Sequence, residues 1–193
     1  MHTISNETGQ ILLHVAALHG SIDICNFIIQ HPSFSQLSLH KRDKQGNTPL
    51  HLAAEKNHEE ISKLLVHSGS DVFIKNKLQK KASESSTSSI AEYLREVELE
   101  ARTKRLFAVM EEDEHEQILE LIEEGINISA VDEYGSTPLI VACIKNLSDA
   151  TRKLISKGAS IEEMDEHLQT PLHWTAMKGN KECIQILRKL LHT

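Results

Sequence analysis

The feature that most constrains this chain is a string that returns at a fixed interval. Gly46-Asn47-Thr48-Pro49-Leu50-His51-Leu52-Ala53-Ala54 reappears as Gly135-Ser136-Thr137-Pro138-Leu139-Ile140-Val141-Ala142-Cys143, and its core returns as Thr170-Pro171-Leu172-His173-Trp174-Thr175-Ala176. Thr137 and Thr170 are 33 residues apart, and the 89 residues from Thr48 to Thr137 are close to three such steps. Near the start, Gly9-Gln10-Ile11-Leu12-Leu13-His14-Val15-Ala16-Ala17 is the same string with Ile-Leu in place of Thr-Pro, 37 residues ahead of its successor. The extra residues fall around His31-Pro32-Ser33-Phe34, which predicts a longer loop there. A period of this length predicts a stack of small supersecondary units, none able to bury its apolar face alone.

Each string predicts a short helix. Proline suits the first helical turn, where its missing N–H costs nothing, and the preceding Thr can cap. A second apolar stretch follows with one-faced helical spacing and then a glycine: Ile61, Leu64, Leu65 and Val66 before Gly69, Ile118, Leu121 and Ile122 before Gly125, Ala150, Leu154 and Ile155 before Gly158. Glycine after a helix fits the left-handed stop position. Ahead of the strings, Asp43-Lys44-Gln45-Gly46 and Asp132-Glu133-Tyr134-Gly135 read as turns opened by Asp and closed by Gly.

Together these residues, Asp-x-x-Gly-x-Thr-Pro-Leu-His-x-Ala-Ala followed by an amphipathic helix and Gly, resemble the ankyrin repeat over nearly the whole chain. The resemblance implies an all-α ankyrin-repeat solenoid of stacked helix-turn-helix units with projecting β-hairpin or turn loops. Six units fit, at about 6–42, 43–75, 76–103, 104–131, 132–164 and 165–193. They form an N-terminal group, residues 1–103, and a C-terminal group, residues 104–193, each with two clear units.

The third and fourth units depart from the pattern. Gln79, Lys81 and Ala82 stand where Gly, Thr and Pro would be, and the Ser-rich segment 83–89 is too polar and short for a first helix. The second helix of the third unit survives around Ile90–Leu94 and can extend beyond Val97, while Leu106–Met110 is expected to form the first helix of the fourth unit. The polar stretch reads either as a flexible linker between two short stacks or as a loop thrown out of one continuous, distorted stack whose neighbours are kept in register by a long helix from about Ile90 to Leu106. The continuous stack is favoured, because each half alone holds few units.

Charge and cysteine content narrow the function classes. The net charge is −7, made up of +2 as far as Lys81 and −9 beyond it, which argues against a nucleic-acid partner and makes the chain electrically bipolar. Cys25, Cys143 and Cys183 lack CxxC pairing, so neither a disulfide framework nor a zinc cluster is supported and a reducing, cytoplasmic setting is expected. The longest apolar stretch, Ile11–Leu18, is too short to cross a membrane and is interrupted by His14. No membrane insertion is expected.

No catalytic, cofactor or metal site is expected. His14, His51 and His173 occupy one place in separate repeats and read as hydrogen-bonding groups to turn backbone or Thr hydroxyl rather than a metal triad. Glu111-Glu112-Asp113-Glu114 lacks calcium-loop spacing. Cys143 and Cys183 read as buried small hydrophobes. No glycine cluster cradles phosphate.

What remains is an exposed groove. The ankyrin resemblance places partner contacts on turn tips and first-helix ends: Arg42, Lys44, Asn47, Lys56, Lys75, Lys77 and Leu78 in the N-terminal group, and Glu133, Tyr134, Ser136, Met164, Glu166, His167, Met177 and Lys178 in the C-terminal group. Tyr134, Met164, Leu78 and Met177 are candidate anchors, since interface centres favour such side chains. The expected function is a non-enzymatic, monomeric adaptor, scaffold or inhibitor that grips another protein, as a folded surface or an extended peptide. The alternatives are the targeting part of a larger enzyme or channel, or a bacterial effector acting in host cytoplasm.

Overall fold

The computed structural model describes residues 5–31, 36–86, 88–112 and 114–190. Among them are ten α-helices and no strand: α1 (Leu12–Leu18), α2 (Ile22–Gln30), α3 (Pro49–Glu55), α4 (Glu59–His67), α5 (Ser89–Glu111), α6 (His115–Glu124), α7 (Pro138–Ile144), α8 (Ser148–Ser156), α9 (Pro171–Lys178) and α10 (Lys181–Leu190). The chain divides into two compact units, Met1–Glu98 and Leu99–Thr193, with the boundary inside α5. The longer loop expected around His31–Phe34 includes residues 32–35, which lie outside the described residues, as does Asp113 of the acidic run.

Thr-Pro opens α3, α7 and α9, with the Thr backbone extended and Pro at the first helical position. Helices this short are marginal alone and are held by their neighbours. In the N-terminal unit, Leu13 and Ala17 of α1, Leu50 and Ala54 of α3, Ile61 and Leu65 of α4, and Ile90 and Leu94 of α5 share one core. In the C-terminal unit the core joins Leu106 and Met110 of α5 to Ile118, Ile122, Leu139, Leu154 and Leu187. Fully burying one such Leu or Ile contributes about 2 kcal/mol.

Two expectations for the middle of the chain are corrected. Leu106–Met110 is not a separate first helix but the last part of α5, because nothing from Ser89 to Glu111 is Gly or Pro and good helix formers run throughout. The described part of the Ser-rich segment, residues 83–86, 88 and 89, does not loop out either; Thr87 lies outside the described residues. Ala82–Glu84 forms a 3₁₀ turn where a first helix would stand, with Ser83 and Ser86 buried. Ser83 Oγ donates to the buried Glu98 carboxylate, which also pairs with the Lys81 ammonium, while Ser86 Oγ and Ser88 Oγ donate to Asn57 Oδ1 at 2.8 and 2.7 Å. These serines replace apolar packing with satisfied hydrogen bonds.

The projecting loops are tight turns without strand pairing. In five of them an Asp or Asn side chain gathers the backbone: Asp43 Oδ1 accepts from the N–H groups of Gln45 and Asn47 at 2.9 and 2.8 Å, and Asn6, Asn76, Asp132 and Asp165 do the same in their own turns. Successive turns are hydrogen-bonded tip to tip. Lys44 N–H donates to Thr8 O at 3.0 Å, Lys77 N–H to Gln45 O at 3.0 Å, and Glu166 N–H to Tyr134 O at 3.3 Å.

The closing residue of each turn has positive φ, and its identity follows what packs on it. Gly46, at φ +82°, has the third turn so close that a Cβ would stand 2.8 Å from Lys77 N; Gly135, at +70°, would place one 3.0 Å from Glu166 N. Gln79 and Leu168 hold the equivalent position at +59° and +58°. Among the described residues no backbone N–H of another turn reaches the Leu78 or His167 carbonyl, so a side chain is sterically allowed there.

Candidate protein-interaction surface

Three repeated histidines hold the turns against the helices. Ile11 N–H and Thr48 N–H donate to Nδ1 of His14 and His51 at 3.4 and 3.3 Å, which leaves Nε2 as the protonated nitrogen. His14 Nε2 then donates to Asn47 O at 3.0 Å and His51 Nε2 to Lys80 O at 3.1 Å, so each spans to the following turn. Burial lowers both imidazole pKa values. His173 has the local half of the pattern, Nδ1 lying 2.7 Å from Thr170 Oγ1, on an exposed ring. The histidines are structural, as the sequence suggests.

The cysteines are buried as well. Burial pushes the Cys25 thiol up to about 11, and a hydrogen bond with Cys183, then burial, raises Cys143. Among the described residues no group of His, Cys, Asp or Glu is placed to hold a metal ion.

In the N-terminal unit Lys44, Lys75 and Lys77 are exposed on the turns, and Leu78 is 76% exposed between them and Lys80. Lys56 is exposed at the end of α3 and paired with Glu55 at 3.3 Å. Arg42 is exposed but committed: its Nε donates to Gly46 O at 3.2 Å and a terminal nitrogen donates to Lys75 O, strapping the second turn to the third. Asn47 corrects the sequence assignment. It is buried, and its Oδ1 accepts from Asn76 Nδ2 at 2.9 Å, because the residue after the turn glycine points back between turns. A groove of about 510 Å³ runs beside these tips, walled by Lys44, Lys77, Leu78 and Lys80 and by Glu55 and Glu84.

In the C-terminal unit Glu133, Glu166, His167 and Lys178 are exposed, as are Tyr134, Met164 and Met177. Ser136 is buried for the same reason as Asn47 and leaves the surface. Glu133 raises the Tyr134 phenol pKa by its charge and by a hydrogen bond. Lys178 Nζ lies 5.8 Å from the Trp174 ring centroid, and the Trp174 indole N–H donates to Asp165 Oδ2 at 2.6 Å. A second groove of about 510 Å³ joins Val131, Glu133 and Tyr134 of the fifth turn to Lys104, Phe107 and Glu111 of α5. Met164 instead lines a smaller recess of about 380 Å³ with Ile161, Leu172 and Leu187.

The structure thus brings Lys44, Lys77 and Leu78 together, and separately Glu133 and Tyr134. Phe107, Lys104 and exposed Leu168 are the residues that sequence reading missed. The unbroken helical sequence across α5 was the signal for the first two.

The family model described as ankyrin repeats (3 copies) matches residues 1–76 and 106–192. This chain belongs to the ankyrin-repeat family. The unmatched interval contains the third unit's Ser-rich segment and most of α5, where the Thr-Pro helix opening is missing. Ankyrin repeats are a protein-interaction architecture, with function carried by exposed surface rather than by the stacking core. The chain is 30% identical over 182 residues to the human transient receptor potential cation channel subfamily A member 1, covering 94% of this chain and 14% of the channel. It is 29% identical over 156 residues to the Caenorhabditis elegans homolog of that channel, covering 76% of this chain and 13% of the relative. The chain therefore spans about a seventh of these relatives. Among the described residues no helix is long and apolar enough to cross a membrane.

Proposed function

We propose that this ankyrin-repeat chain is a non-enzymatic binding module, an adaptor, scaffold or inhibitor that holds another protein on its turn tips and first-helix ends. The observation that carries this reading is the division of labour within the repeat. Leu, Ile, Ala and His positions are consumed by stacking, while Lys44, Lys77, Leu78, Glu133 and Tyr134 stand exposed beside two open grooves. Aromatic and long apolar side chains at such places supply desolvation, and the charges around them supply orientation.

Affinity capture from a cell extract tests it, comparing the wild-type chain with a Lys77→Glu/Tyr134→Ala variant. The expected result is loss of the captured partner with helical circular dichroism unchanged. Undiminished capture rejects the surface. Arg42 is unsuitable for this purpose, because it holds two turns together.

The two channel relatives favour a second reading, in which these repeats form the regulatory part of a longer membrane protein. Immunoblotting of the endogenous protein separates the two. A band near 21.7 kDa supports the free module, and a band several times larger supports the second reading.

A further inference from the structure

We propose that the N-terminal unit's tip surface binds an extended acidic peptide segment that carries a bulky apolar side chain. This rests on the binding-module reading and names the partner's chemistry for one half of the chain. Within 41–47 and 75–81 every exposed charged side chain is cationic. The single acid, Asp43, is buried and engaged by the backbone of its own turn. Lys81 is already matched to Glu98, but Lys44, Lys75, Lys77 and Lys80 enter no ion pair among the described residues. The tip-to-tip hydrogen bond between Lys77 N–H and Gln45 O sets the Lys44 and Lys77 rows side by side. Cations left uncompensated in a row raise the local concentration of an acidic ligand and orient it.

The apolar requirement comes from Leu78. It sits at the outer position of the third turn, 76% exposed, where the corresponding residues of the first two turns are Thr8 and Gln45. A leucine there contributes nothing to the turn's own fold, since the Asx hydrogen bonds are made by Asn76 and the backbone. Its exposed apolar surface, at the rim of the groove, is available to bury against a partner.

The groove behind Leu78 selects a peptide over a polyphosphate. Its inner wall carries the Glu55 and Glu84 carboxylates, which can accept the backbone N–H groups of a peptide, donors that a phosphate backbone lacks. Its lining holds no aromatic ring on which a base could stack.

The test is fluorescence anisotropy with the full chain and a labelled dodecapeptide of mixed Asp and Glu around two central leucines. Saturable binding is expected, weakened about tenfold by Lys44→Gln/Lys77→Gln and about threefold by Leu78→Ser, and falling as salt rises. Replacing the peptide's leucines by serine should reproduce the Leu78→Ser loss. Circular dichroism establishes that each variant is folded; Lys44→Glu alone serves if the double variant is not. Equal binding by the double variant, or by a peptide with Lys in place of its acids, overturns the proposal. So does failure of the peptide to bind while anionic phosphatidylserine vesicles or single-stranded DNA bind through Lys44 and Lys77. If the peptide fails but Tyr134→Ala still abolishes partner capture, the inference falls and the binding-module reading stands.

Discussion

In the N-terminal unit the link from one repeat to the next is a buried histidine, His14 reaching Asn47 O and His51 reaching Lys80 O. In the C-terminal unit the same place in the fifth repeat is Ile140, fully buried and unable to donate. There apolar packing takes the place of the bridge, alongside the tip bond of Glu166 N–H to Tyr134 O, the counterpart of Lys77 N–H to Gln45 O, and the bond of Asn180 Nδ2 to Cys143 O at 2.7 Å. The tips differ too: Lys44 and Lys77 on one unit match Glu133 and Glu166 on the other. Stacking accepts either a polar bridge or an apolar filler, provided that the turns approach closely. It leaves the tip residues free to vary, and there the two units acquire opposite charge.

The largest test of this comparison addresses close approach. Gly46→Ala combines positive φ with a Cβ 2.8 Å from Lys77 N and should cost about 3 kcal/mol in chemical denaturation, whereas Gln79→Gly should be neutral or stabilise by up to about 1 kcal/mol. Equal effects at the two positions would break the link between glycine and the following turn.

A middle-sized effect separates the histidines. His51→Ala opens a cavity and leaves Lys80 O without its donor, costing about 2 kcal/mol, while His173→Ala on an exposed ring should cost under about 1 kcal/mol.

The smallest effect is that of pH. Because burial lowers the folded-state pKa of His14 and His51 below 6.5, the unfolded chain binds protons more readily. Their contribution is complete above pH 6.5 and is lost as pH falls below it. The described histidines of the C-terminal unit, His115, His167 and His173, are all exposed. Hydrogen exchange measured at pH 7.5 and again near pH 5.5 should therefore show amides of α1 and α3 losing protection before those of α7; the reverse order would sink the comparison.

The sequence was informative wherever a local rule decides the outcome. Thr-Pro marked the starts of α3, α7 and α9, and the repeated histidine was legible as a structural bond because its neighbours recur with it. It misled where an outcome depends on distant atoms. Asn47 and Ser136 are polar residues beside a turn, which favours exposure, but the adjacent turns close over them. Arg42 resembles a free tip cation until Lys75 O is seen within its reach. The Ser-rich segment looks unable to pack, and it packs because Asn57 and Glu98, far along the chain, supply partners.

By itself, then, the sequence determined the period, the paired short helices and the family, because caps, prolines and apolar spacing act within a few residues. Only the tertiary structure decided that each turn needs glycine only where another turn lies against it, and which polar side chains remain for a partner. Those outcomes depend on burial, and burial belongs to the surroundings of a residue rather than to its type.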